Sequence, residues 1–157
     1  MKPTVYIETS IVSYLTASLS NDIRVLANQN ITVEWWNNSR GNFDLYISEL
    51  VTTEASGGDK EAAKRHLDVI EGLPELEVSE NAESLAKALC IEGPVPQNAE
   101  IDAYHIAVAT VNGMDYLMTW NCAHIANAVI RPKLEEVCYD YNYQLPVICT
   151  PQELLEE

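Results

Sequence analysis

Residues 4–10 read TVYIETS, an apolar run that meets a carboxylate and then a helix start. Val5, Tyr6 and Ile7 have the pattern of a short buried strand, and Thr9 and Ser10 read as the cap of the helix that follows. Glu8 therefore stands where a strand gives way to a helix. The same alternation recurs along the chain. Strand patterns occupy residues 3–7 (PTVYI), 44–48 (DLYIS), 75–79 (ELEVS), 115–119 (DYLMT) and 145–149 (LPVIC). Amphipathic stretches fill the gaps: SIVSYLTA and a segment around VEWWNNSR, then ELVTTEAS and KEAAKRHLDVIEG, then NAESLAKALCIEG and AEIDAYHIAVATVNG. The last of these is expected to be capped by Asn98 and stopped by Gly113. In AHIANAVIRPKLEEVCYDYN, Pro132 predicts a short helix, a break, and a new helix with the proline in its first turn. Strands alternating with helices imply an α/β fold, a parallel sheet covered on both faces, with its site beyond the carboxyl ends of the strands.

The length of 157 residues suits one domain, taken as 1–157, with a core that needs no staples. Cys90, Cys122, Cys138 and Cys149 are widely spaced and form no C-x-x-C pair, so neither a zinc ribbon nor a disulfide framework is indicated, and reduced thiols in a cytoplasm are expected. Glu8 interrupts the apolar N-terminus early, and no run approaches the ~18 apolar residues of a membrane span, so neither a signal peptide nor a membrane segment is expected. The charge is extreme, with 24 acids against 9 bases and a net charge of -15. It is spread over both halves, 13 acids and 6 bases in residues 1–80 and 11 and 3 in the rest. A field of that sign repels nucleic acid at long range unless metal ions or basic patches offset it, and attracts a basic protein.

Three acids stand out against this background. Glu8 follows the first strand. Ser48 is a natural cap for the helix after the second strand, and Glu54 within it shares a face with Leu50 and Val51. Asp102 lies in the first turn of a helix whose residues 101–112 include eight apolar ones, on a stripe with Ile106 and Ala109. Singly, each acid has a structural role to hand: Asp102 at the helix dipole, Glu8 as a cap, Glu54 reaching outward. Gathered at one sheet edge they would repel one another and take up protons unless a cation held them, and Mg²⁺ or Mn²⁺ is the natural counter-ion. The expected chemistry is metal-assisted attack of water on a phosphodiester. After the fourth strand, Asn121 offers a neutral oxygen and Thr119 a hydroxyl to orient water or phosphate.

Together, YIETS, SELVTTEASGGD, DAYHIAVATVNGMDYLMTWN and VICTPQELL resemble, in order, the successive motifs of PIN domains, in particular the small bacterial VapC-like proteins of toxin-antitoxin systems. The resemblance implies a three-layer α/β/α PIN-like fold around a parallel sheet of five strands, matching the five strand patterns. It also implies a divalent-metal-dependent endoribonuclease using Mg²⁺ or Mn²⁺ and held in check by an antitoxin. Glu8, Glu54 and Asp102 correspond to the first three acidic positions, and Thr119 and Asn121 to the fourth motif; Glu8, Glu54, Asp102 and Asn121 would be the metal ligands. Two positions depart from the family's usual Asp: Glu8 carries one more methylene, and Asn121 removes a charge. Similar PIN proteins often form dimers, and VEWWNN and YDYNY supply aromatic residues for such an interface.

RNA contact is expected from Lys60, Lys64 and Arg65 after the second motif, against the plainer reading of a solvated helix face. Arg24, Arg40, Arg131 and Lys133 are weaker candidates, and Trp35 and Trp36 could stack bases if exposed. His105 and His124 invite zinc or general-base roles, but no tetrahedral ligand set is completed and structural histidines are the simpler account. No P-loop, G-x-S-x-G or G-x-G-x-x-G is present. The competing readings are a catalytically silent PIN-fold module that recruits a basic protein, and another metal-dependent phosphoesterase.

Overall fold

A computed structural model describes residues 1–155. Five strands form one parallel sheet: β1 (Thr4–Ile7), β2 (Asp44–Ser48), β3 (Glu75–Leu76), β4 (Tyr116–Met118) and β5 (Val147–Cys149), in the order β3-β2-β1-β4-β5. Seven α-helices connect them: α1 (Thr9–Thr16), α2 (Ile23–Asn38), α3 (Glu49–Ala55), α4 (Lys60–Ile70), α5 (Glu80–Ile91), α6 (Glu100–Val111) and α7 (Arg131–Asp140).

The strand order fixes which helices share a face. From β1 the chain steps to β2 and on to β3 in one direction, then jumps back over both to β4 and continues to β5 in the other. Parallel crossovers are right-handed, so reversing the direction of travel moves the connecting helices to the opposite face. The packing agrees with this division. Helix α1 contacts α2, α3 and α4, whereas α5 contacts α6 and α7. Three layers result, and the point of reversal lies between β1 and β4, which pair with Val5 opposite Tyr116, Tyr6 opposite Leu117 and Ile7 opposite Met118.

Strand β1 is central, and Val5, Tyr6 and Ile7 are fully buried, as a strand covered on both sides requires. The core continues through Trp35 and Val51 on one side of the chain's reversal, and through Leu85, Leu89, Ile106, Val108 and Leu134 on the other. Helix α6 buries nearly its whole second half, Ala103 and His105 to Thr110. It ends at Gly113, whose φ of +67° continues the chain in the left-handed region.

Several local expectations are corrected. The cap of α1 is Glu8, whose carboxylate accepts the Ser10 N–H, while Thr9 and Ser10 are already helical. Asn98 does not cap α6: it lies in a 3₁₀ turn, Gln97–Ala99, and Ala99 takes the cap position without a side-chain bond. Residues 122–130 form turns in place of a short helix, with Asn121 and Asn127 side chains accepting the His124 and Val129 N–H groups. Helix α7 then begins with Pro132 in its first turn, as expected. The third strand is only Glu75–Leu76, and α2 extends well beyond the segment around VEWWNNSR. Trp35 is fully buried, which removes it as a base-stacking surface; Trp36 is partly buried beneath the Arg40 guanidinium, 4.6 Å from its ring centroid.

Candidate active site

The gap between β1 and β4 is where an open parallel sheet splays its connections apart, and ligands of such sheets bind beyond the strand ends at that point. Glu8 leaves β1 here and Thr119 leaves β4. Glu8 N–H still pairs with the Met118 carbonyl at 3.2 Å, and Thr119 N–H with that of Cys149 at 2.9 Å, so both side chains are carried on the last rungs of the sheet. Their side chains meet: the buried Thr119 hydroxyl donates to Glu8 Oε1 in a short hydrogen bond.

Ser10 completes this junction. Its N–H donates to Glu8 Oε2 at 3.0 Å and its hydroxyl to Oε1 at 2.5 Å, while Ser10 Oγ accepts the Trp120 N–H at 2.8 Å. Thr119 Oγ1 likewise accepts the Asn121 N–H at 2.9 Å. Both oxygens of Glu8 are thus engaged, Oε2 in capping α1 and Oε1 in joining α1 to the segment after β4. Asn121 is engaged too, its Oδ1 accepting the His124 N–H at 3.1 Å. Trp120 lies over Tyr14 with ring centroids 5.9 Å apart and planes 15° from parallel, and its Nε1–H donates to Thr32 Oγ1 at 2.8 Å.

Glu54 and Asp102 reach the same edge from opposite layers. Glu54 Oε1 receives the Thr9 hydroxyl at 2.7 Å and lies 2.6 Å from His105 Nε2. Its side chain is 36% exposed, so it stands at the boundary of the core rather than within it. Burial alone would raise the Glu54 carboxyl, but the His105 N–H and the Thr9 hydroxyl outweigh it and hold the group below its ordinary range. Behind His105 the contacts continue inward, with Nδ1 2.7 Å from the Tyr6 hydroxyl and that hydroxyl 2.8 Å from Ser48 Oγ. Burial pushes Tyr6 far above its ordinary range, so its hydroxyl keeps its proton. Asp102 is 16% exposed, and its Oδ2 is 3.0 Å from Nδ1 of His124. Because Asp102 and His105 are three apart on α6, they share a side of that helix, and Glu54 is held against the same side.

The four segments YIETS, SELVTTEASGGD, DAYHIA and MTWN therefore converge, with direct bonds from Glu8 to Thr119, from Thr9 to Glu54 and from Glu54 to His105. Lys60, Lys64 and Arg65 are exposed on α4, which packs against α1 and α3, and none forms an ion pair among the described residues. Thr9, Ser10, Tyr6 and Ser48 escaped the sequence reading as site residues. Their signal was present in the hydroxyl pair after Glu8, but their partners are far away in the chain.

The oxygens present suit a hard divalent cation. Among the described residues no three His, Cys, Asp or Glu side chains gather as a metal-binding group. Magnesium, however, commonly takes only one or two carboxylates and completes its shell with waters and substrate phosphates. Glu54 and Asp102 each keep one oxygen without a hydrogen bond among the described residues, Oε2 and Oδ1. That pair fits such a cation, whereas Glu8 is already committed as a cap.

No family model matches this chain, and no curated protein does. Among solved structures, VapBC2 from Rickettsia felis, crystallised bound to a DNA fragment from the promoter, includes a chain that matches with a TM-score of 0.54 and 15% identity. The match covers 94% of this chain and 98% of that one. At that identity the likeness is one of fold, and the fold is the three-layer PIN-like arrangement of five parallel strands. Among the described residues, no helix is long and apolar enough to cross a membrane.

Proposed function

We propose that this chain is a divalent-metal-dependent endoribonuclease of the VapC-like toxin kind, acting on RNA phosphodiesters and restrained by a basic antitoxin protein. The observation that carries the reading is the convergence of Glu54, Asp102 and the Glu8–Thr119 junction at the sheet's point of reversal, each from a different segment. The likeness of fold to VapBC2 supports it. When bound, Mg²⁺ or Mn²⁺ supplies charge stabilisation at the phosphoryl group and makes a water more acidic.

The chain's own residues have separable tasks in this reading. Glu54 and Asp102 hold the cation through the oxygens left open, with Glu8 and Asn121 reaching it through water. Thr119 fixes Glu8 and the Asn121 backbone. Lys60, Lys64 and Arg65 take backbone phosphates, giving the local positive charge that a chain of net charge -15 needs in order to hold RNA. The same net charge suits an antitoxin with a basic surface.

Titrating Mn²⁺ into the wild type and Asp102→Asn by calorimetry, with RNA cleavage measured in parallel, tests the proposal. The wild type should bind and cleave, and the folded variant should lose both. Full cleavage by the variant would remove Asp102 from the site. One observation favours a second reading, a silent binding module: both Glu8 oxygens are occupied by protein donors. A wild type that binds neither Mn²⁺ nor Mg²⁺ would select it.

A further inference from the structure

The contacts from Ser48 through Tyr6 and His105 to Glu54 admit one direction of donation that satisfies every member. Leu50 N–H donates to Ser48 Oγ at 3.2 Å. The Ser48 hydroxyl then donates to Tyr6, at 2.8 Å, and the Tyr6 hydroxyl to His105 Nδ1, at 2.7 Å. His105 Nε2–H finally donates to Glu54 Oε1 at 2.6 Å. Run the other way, the chain fails at both ends: an ionised carboxylate has no proton to give, and the Ser48 hydroxyl would be left without an acceptor. His105 and Ser48 are almost wholly buried and Tyr6 wholly so, and a stranded donor costs most in such a place.

We propose that His105 is a positioning residue for Glu54. Tyr6 pins the imidazole with its proton on Nε2, and that N–H occupies Oε1 and leaves Oε2 as the oxygen that takes the cation. The inference rests on Glu54 being a metal ligand, as read above. It assigns a task to a histidine that touches neither cation nor RNA. An imidazole N–H suits that task because it orients the carboxylate without a fixed charge. A lysine or arginine in its place would neutralise Glu54 and repel a cation. Thr9 adds the second donor on Oε1, so the carboxylate is held from two layers of the fold at once.

The test uses the whole chain and three variants, His105→Leu, His105→Gln and Tyr6→Phe. In the wild type, ¹⁵N spectra of the ring nitrogens should show a proton on Nε2 and none on Nδ1; the reverse tautomer overturns the proposal. Mn²⁺ affinity measured by calorimetry should fall about 10- to 100-fold in His105→Leu, as for other partners of metal ligands. His105→Gln, which keeps an amide donor, should restore most of it. Tyr6→Phe keeps the ring packing and removes both hydrogen bonds of the hydroxyl, with Ser48 and with His105; it should weaken Mn²⁺ about fivefold and mix the tautomers, which keeps the proposal testable if His105→Leu fails to fold. Unchanged affinity in folded His105→Leu, or in Tyr6→Phe, overturns the positioning role alone. A wild type that binds no Mn²⁺ overturns the metal reading, and this inference with it.

Discussion

Glu8 and Thr119 are 111 residues apart in the chain and share one hydrogen bond between buried side chains across the gap between β1 and β4. The bond joins the helix that starts at β1 to the turn that leaves β4, so the cap of α1 and the shape of the site are set by the same two side chains.

Thr119→Val should separate these roles. It keeps the volume and removes the hydroxyl, leaving Glu8 Oε1 short of a donor and the Asn121 N–H short of an acceptor. Denaturant unfolding should show a loss of about 1–3 kcal/mol, and Thr119→Ser should recover most of it.

Replacing Lys60, Lys64 and Arg65 together by Ser should raise KM for RNA with little change in kcat. These side chains are exposed on α4, and in the proposed role they act in binding alone. Binding measured over a range of salt should show the slope of log Kd against log salt reduced by about 2, the value for three single-strand phosphate contacts.

The four thiols should react in order of exposure. Cys122 is exposed and Cys90 intermediate, whereas Cys138 and Cys149 are buried, and all four are free. Burial pushes Cys138 up to about 11 and Cys149 up to about 12. Mass spectrometry after alkylation should find Cys122 modified in the native protein, and Cys138 and Cys149 only after unfolding. Both folded thiols hold their protons beyond the ordinary 9.0, so the unfolded chain releases protons first. Their contribution to stability is complete below that value and is lost as pH rises from 9.0 towards about 12, which alkaline unfolding should show.

Gly113→Ala should cost about 1 kcal/mol, because residue 113 has φ +67° after α6. Gly113→Asn should cost less, since Asn tolerates that region. Thermal unfolding of the two variants checks the order.

Five strands were legible in the sequence, β1, β2, β4 and β5 as short apolar runs between turn or cap residues and β3 as a brief alternation that forms only Glu75–Leu76, and their alternation with helices implied the parallel sheet. What could not be read was decided across long distances. Helix α2 was underestimated because two of its three buried residues, Gln29 and Thr32, are polar, and the partners that satisfy them lie mostly in other segments: Gln29 bonds Ser18 and Ser20, and Thr32 bonds Trp120. The apolar residues of AHIANAVI suggest a short helix, yet Asn121 and Asn127 turn the backbone instead. Glu8 was recognised by position, but its capping role depends on Ser10 and Thr119 together. His105 was visible three residues beyond Asp102, whereas its bond to Glu54 requires two layers to be in place.

The reversal of strand order also governs when the site comes into being during synthesis. β1 is the first of the five strands to be made, but its neighbour β4 follows more than a hundred residues later, after both β2 and β3. A ribosome-bound fragment that ends between α6 and β4 holds Glu8, Glu54 and Asp102 but lacks Thr119, the side chain that fixes Glu8. In the proposed role, the Glu8–Thr119 junction is therefore the last part of the site to form as the polypeptide emerges.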